Sequence, residues 1–324
     1  MKKFWVAVVA ISGFATMPSI AQLLPKVEKI VFDSDRNGND VEVYIMNTDG
    51  TKVKNLTNDP SYDAYPSICP DGKTIVFTST RPVVYGKRNI YTMKTDGTGV
   101  KNISESPNND DWMAKCGPPA APGGRNRVVF VRDLNWPNGQ HEIFVMNDDG
   151  TNVRQLTNDP APDLYPSWCG GKLILFASAR PLGSNGGFDI WSVTPDGFQL
   201  KNFYGTGHDE FAPSCSPDKS QLLFTRRFFN GPAYSDIFRV KVSGSGEVNL
   251  TNTAGYDHFP AWSLDGRKVV FEAPASTNDP YPKLWVMDAE DGANLRLLTT
   301  VPLVDDEHPE WGWIYGIAGP QQEP

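Results

Sequence analysis

Histidine and cysteine are scarce in this chain, four of each among 324 residues. The cysteines stand singly at Cys69, Cys116, Cys169 and Cys215, without the CxxC pairs of a structural zinc site. Catalytic signatures are missing as well: there is no Gly-X-Ser-X-Gly elbow, no P-loop and no HExxH helix. The apolar run Phe4 to Ala15 is too short to span a bilayer, for which a helix needs about 20 residues. Basic residues form no stripe, and 30 Lys and Arg face 38 Asp and Glu, a formal charge of −8. Nucleic acid and anionic membranes are therefore poor partners, because phosphate binding needs clustered cations.

Turn punctuation, by contrast, is plentiful: Gly 29 and Pro 27. The stretch Tyr65 to Ser104 reads YPSICPDGKTIVFTSTRPVVYGKRNIYTMKTDGTGVKNIS. Four short β-rich runs lie within it: Pro66 to Cys69, Thr74 to Thr78, Asn89 to Met93 and Val100 to Ser104. Pro70-Asp71-Gly72 separates the first two and Asp96-Gly97 the last two, with Gly supplying the positive φ of a tight turn. A lone four-strand meander cannot bury both faces, so the unit needs copies of itself.

The copies are present. Pro66 is matched by Met113, Pro166, Pro213, Pro260 and Pro309, a period of about 50 residues. The second turn recurs independently as Asp49-Gly50, Asp96-Gly97, Asp149-Gly150, Asp196-Gly197 and Asp291-Gly292, with Ser243 to Gly246 in the remaining place. The third strand recurs as VYIM (43–46), IYTM (90–93), IFVM (143–146), IWSV (190–193), IFRV (237–240) and LWVM (284–287). This predicts an all-β chain, a six-bladed β-propeller of four-stranded antiparallel blades. The first copy begins at Lys29 with a second strand, whereas His308-Pro309-Glu310-Trp311 is a first strand with no blade after it. The C-terminal strand is therefore expected to close the ring inside the N-terminal blade, leaving no large free edge.

Asp35-Arg36-Asn37-Gly38-Asn39 followed by VEVYIMNTDG, then PSICPDGKTIVFTS, IFVMNDDG and PAWSLDGRKVVFE, resemble the WD-type repeats of TolB-like β-propellers. The resemblance covers Lys29 to Gly316. It implies a propeller in the cell envelope that binds a protein partner. TolB itself carries an α/β domain ahead of its propeller, and nothing here has room for one. A role in the Tol–Pal system does not carry over on this basis. A prolyl-oligopeptidase-type enzyme would likewise need an added hydrolase domain.

Lys2-Lys3, Phe4 to Ala15 and Ser19-Ile20-Ala21 before Gln22 compose a secretory signal peptide. The expected organisation is a signal peptide (1–21), a lead-in (22–28), the propeller (29–316) and a tail (317–324), in a periplasmic or secreted protein without membrane insertion. Removal of Lys2 and Lys3 leaves 28 basic against 38 acidic residues, a charge of −10.

Export makes disulfides feasible. Side chains alternate along a strand, and Cys69, Cys116 and Cys169 stand three residues after the aligned position, Cys215 two after it. On that parity only Cys169 and Cys215 can face each other across a blade junction, and small buried thiols are the plainer reading of all four.

The loops entering the first strands carry a recurring acid, Asp63, Asp110, Asp163, Glu210, Asp257 and Asp306. Acids so placed cap turns and brace neighbouring blades, or else form a negative funnel around the tunnel mouth. His208, His258 and His308 lie in three successive entering loops beside further carboxylates, the ligand set of a divalent metal. Oligogalacturonate lyases, similar to TolB-like repeats, bind a metal through propeller histidines, so a glycan-cleaving enzyme is the alternative function. No ligand motif of theirs matches here. Tyr85, Trp136, Phe228, Phe229, Tyr234 and Tyr281 bring aromatics to the same face, usual in peptide or sugar contacts. Arg81 and Arg180 are expected to brace loops by pairing with acids. Asp33 to Gly38 imitates the opening of a calcium loop, but Tyr44 stands where the bidentate Glu is needed. The leading expectation is a binding module with a protein or peptide partner, its face formed by the six acids with Trp136, Tyr85, Phe229 and Tyr281.

Overall fold

The structure is a computed structural model that describes residues 25–38, 40–81, 86–134, 139–180, 187–228, 234–276 and 279–316. The stretches expected to be signal peptide (1–21) and tail (317–324) lie outside the described residues. Six sheets of four antiparallel strands form the ring. Five run outward in chain order, the second blade for instance as Asp63–Ile68, Thr74–Ser79, Asn89–Lys94 and Lys101–Asn102. The first blade is split. Asp306–Tyr315 is its innermost strand and pairs with Lys26–Ser34 from the N-terminal side, in register from Lys26↔Tyr315 to Ser34↔Asp306. Hydrogen bonds between the two ends of the repeat array thus close the ring.

Every second strand holds one phenylalanine at the same depth: Phe32, Phe77, Phe130, Phe176, Phe224 and Phe271, none more than 2% exposed. Across the ladder each meets an aromatic of the third strand, respectively Tyr44, Tyr91, Phe144, Trp191, Phe238 and Trp285. Burying such a ring contributes about 2–3 kcal/mol, and the cross-strand pairing fixes the register of the hairpin.

The innermost strands are irregular, and the irregularity corrects the repeat alignment. In every blade the pairing with the second strand slips. The slip lies at a non-glycine residue with φ of 49–55°: Tyr65, Met113, Tyr165, Ala212, Phe259 and His308. Pro follows in five blades. It is tolerated because the innermost strand is the free edge of its sheet, where no N–H is needed for a ladder. In the third blade Ala114 follows instead. Met113 is therefore the counterpart of Tyr65, and a count based on prolines runs one residue out of phase in that blade.

The corrected phase accounts for the cysteines. From the residue after the slip, the side chain two positions on faces the preceding blade, where it meets a side chain three positions on. Ile68 covers Gly312, whose added Cβ would lie 2.5 Å from Ile68 Cβ, and Trp168 covers Gly117, whose added Cβ would lie 2.3 Å from the ring. At two junctions both places are cysteine, giving disulfides Cys69–Cys116 and Cys169–Cys215. Counted from Met113, Cys116 falls on the wrong parity; counted from Ala114, it faces Cys69. The expectation of buried thiols is corrected too, since no cysteine is free.

Candidate functional site

The six positive-φ residues stand at one level around the axis and their side chains close the tunnel there. Ring centroids are 3.9 Å apart for Tyr65 and His308, and 4.5 Å for His308 and Phe259. Tyr165 and Phe259, from the fourth and sixth blades, meet at 5.6 Å past the small Ala212 of the fifth. A non-glycine residue in this backbone region costs about 1–3 kcal/mol, so the waist is a strained feature held by the surrounding sheets.

On one side of the waist lies a chamber of about 400 Å³, opening between the turns that join first and second strands. Trp168, Trp262 and Trp311 wall it, and Pro70, Pro118 and Pro217 reach it from those turns. Its polar feature is the ion pair of Lys115 with Glu310, to which Ser67 Oγ donates a hydrogen bond of 2.6 Å.

The other side of the waist carries the entering loops and their acids. With the corrected phase, Asp111 and not Asp110 is the counterpart of Asp63, Asp163, Glu210, Asp257 and Asp306. All six are buried, at most 2% exposed. Arg36 pairs with Asp306, Arg81 with Asp63, Arg132 with Asp111, Arg180 with Asp163 and Arg226 with Glu210. Each guanidinium also lies 4.3–5.7 Å from the rings of its blade's aromatic rung. Carboxylate, guanidinium and ring thus form one bracing stack per blade, combining a charge-assisted hydrogen bond with a cation–π contact. The acids consequently form no open funnel, because burial and pairing consume their charge. Asp110 is engaged separately by Arg88.

The sixth blade breaks the rule. Ala273 stands where other blades place Ser or Arg, and no arginine or lysine among the described residues pairs with Asp257. Thr253 Oγ1 donates to it at 2.9 Å, and burial raises its carboxyl to about 6. The bracing by Arg81 and Arg180 is legible in the sequence, where both follow their strands at equal offset. Arg132 and Arg226 were not, because they sit two residues nearer, within the second strand; their signal is the position relative to the buried Phe.

The three histidines separate. His308 Nδ1 is 3.1 Å from both Asp33 oxygens, and the His308 backbone N–H donates to Glu272 Oε2 at 2.8 Å. Burial lowers the His308 imidazolium, but Asp33, followed by Glu272 and Glu307, outweighs it and holds the group up at about 9. Glu272 and Glu307 are pushed above the carboxylate range, first by burial. His258 falls to about 4 through burial and the positive charges of Arg227 and His308. His208 packs elsewhere, 5.3 Å from Phe228, which stacks on Tyr234 at 4.8 Å. Among the described residues, the one group of three or more candidate ligands is Asp33, Glu307 and His308. The structure therefore does not gather His208, His258 and His308 into one ligand set. Glu272, and the pairing of Asp33 with His308, escaped sequence reading because both acids come from second strands, brought to His308 by ring closure and blade packing. Tyr281 is 39% exposed; Tyr85, Trp136 and Phe229 lie outside the described residues.

Six blades, a C-terminal closing strand and the bracing stacks define a six-bladed β-propeller with no helix among the described residues. The TolB beta propeller domain family matches residues 6–118 and 110–312, and the chain belongs to that family. An uncharacterized protein of Agrobacterium fabrum is 28% identical over 167 residues, 49% of this chain and 54% of its own. The protein TolB homolog of Chlorobaculum tepidum is 32% identical over 132 residues, 40% of this chain and 26% of its own. The matched stretch thus spans about half or less of these relatives. The crystal structure of TolB from Acinetobacter baumannii is similar with a TM-score of 0.67 at 19% identity, covering 87% of this chain and 66% of that one, a likeness of fold.

Proposed function

We propose that this chain is an exported binding module of the cell envelope, holding a protein or peptide segment at the mouth of its propeller. The observation that carries the reading is the blind chamber. It is concave and walled by tryptophan and proline, with a single ion pair for orientation, which is the composition of a binding hot spot. Because the waist is shut, a turn or chain end enters and stops; nothing threads through. The twin disulfides and the bracing stacks support rigid presentation, so little ordering cost falls on association. Export is supported by the N-terminal Lys2-Lys3 and apolar run, and by disulfides, which persist in oxidising compartments. The glycan-cleaving alternative loses its footing because its three histidines are apart.

The test is retention of envelope proteins on immobilised mature chain. Leu264, 42% exposed on the chamber rim, is changed to Glu, and Tyr281→Ala, at an exposed site near the link between the second and third strands of the sixth blade, serves as the variant away from the chamber. A partner kept by the parent and lost from Leu264→Glu supports the chamber. Equal retention by both moves the contact to another face, and no retained protein at all overturns the module reading.

A further inference from the structure

We propose that Asp33, Glu307 and His308 bind one divalent first-row metal ion, Zn²⁺ or Mn²⁺, at the seam where the C-terminal strand closes the ring. This stands apart from the partner proposed above. A His308 ring nitrogen and one oxygen from each carboxylate all lie within 4.8 Å of one another. Donors sharing an ion at about 2.0–2.2 Å stand at most about 4.4 Å apart, so the three are near ligand spacing already. The set is also pre-positioned. Tyr65 and Phe259 clamp the His308 ring on two sides, and the Tyr65 backbone N–H anchors Asp33 Oδ1 at 3.0 Å.

A second observation points to a cation independently. Glu272 is 4% exposed, and only its Oε2 accepts a hydrogen bond, from the His308 backbone. Its Oε1 accepts no hydrogen bond from the described residues and lies 3.9 Å from His258 Nδ1. The charges that act on it most are His308, Glu307 and Asp33. Buried carboxylates are ordinarily paired or hold a cation, and Arg36, next along the chain, is committed to Asp306. Beside it, His258 Nε2 is buried without a hydrogen-bond partner among the described residues. One imidazole with carboxylates suits Zn²⁺ or Mn²⁺ better than Ca²⁺ or Mg²⁺. Glu307 is half-buried, which leaves an approach from solvent and room for water or another oxygen donor on the ion.

The experiment is calorimetric titration of tag-free mature protein, stripped with EDTA, with ZnCl₂ or MnCl₂ alone. One ion per chain is expected with at least one of them, together with a rise in Tm. Glu307→Gln should weaken binding by about tenfold or more, and His208→Gln should leave it unchanged. His308→Gln disturbs the waist, so the half-buried Glu307→Gln decides, with metal-free melting curves as the check on folding. Binding far below one ion per chain with both metals overturns the site, as does unchanged affinity in a folded Glu307→Gln variant.

Discussion

Replacing Gly117 with Ala tests the packing rule at the blade junctions. An added Cβ would sit 2.3, 2.4 and 2.5 Å from Cε2, Cδ2 and Nε1 of Trp168, where carbon contacts settle near about 3.5–4.0 Å. The indole has little room to retreat. Its Nε1–H is donated to the Lys115 carbonyl at 3.0 Å, and the Arg127 guanidinium lies 4.6 Å from the ring centroid. Overpacking of this kind costs about 1–3 kcal/mol, and loss of the indole hydrogen bond adds about 1 kcal/mol. Gly117 has no left-handed backbone, so alanine brings no conformational strain and even gains about 0.4–1 kcal/mol from the unfolded chain. The net expectation is a loss of about 1–3 kcal/mol, read as a fall in Tm of about 2–4 °C per kcal/mol. In a Trp168→Leu background the same change should be close to neutral, because the colliding ring is gone. An unaltered Tm for Gly117→Ala, or an equal fall in both backgrounds, would refute the rule.

Asp257 supplies a pH test. Its folded value of about 6 lies above the ordinary 3.8, so stability from this group is complete below pH 3.8 and is lost as pH rises through 6. Asp257→Asn should exceed the parent by about 1–3 kcal/mol at pH 8, with the gap closing near pH 4; a gap constant across that range in denaturant titrations counts against it. Arg180→Met strands the buried Asp163 carboxylate and should lower stability by about 3–5 kcal/mol at neutral pH; a variant within about 1 kcal/mol of the parent would remove the bracing stacks from the account. Opening Cys69–Cys116 by a double change to serine frees a loop of 47 residues in sequence separation, an entropic loss of about 4 kcal/mol. An unchanged Tm on reduction of the parent would contradict that expectation.

Much of the architecture is legible in the sequence itself. Turn residues, third-strand motifs and the orphan strand at His308 to Trp311 each report local backbone chemistry, and local chemistry repeated six times admits few arrangements. The split first blade followed from the same bookkeeping. What misled was phase. Proline marks the slip in five blades, but the physical landmark is the left-handed residue before it, and φ leaves no mark when Met113 and Ala114 occupy those places. One residue of error moved Cys116 to the wrong face and exchanged Asp110 for Asp111, because strand parity inverts with a single step.

The chain's own pattern therefore determined the fold, the number of blades and the way the ring closes, since those depend on short-range hairpin preferences summed along the sequence. Tertiary structure decided the rest. The acids turned into buried braces only when arginines within or just after the second strands reached them. His308 acquired Asp33 from the opposite end of the chain and Glu272 from the sixth blade, through ring closure. The chamber exists because six side chains from six blades meet at one height on the axis. Contacts of that kind join residues far apart in sequence, and no periodicity along the chain encodes which of them will touch.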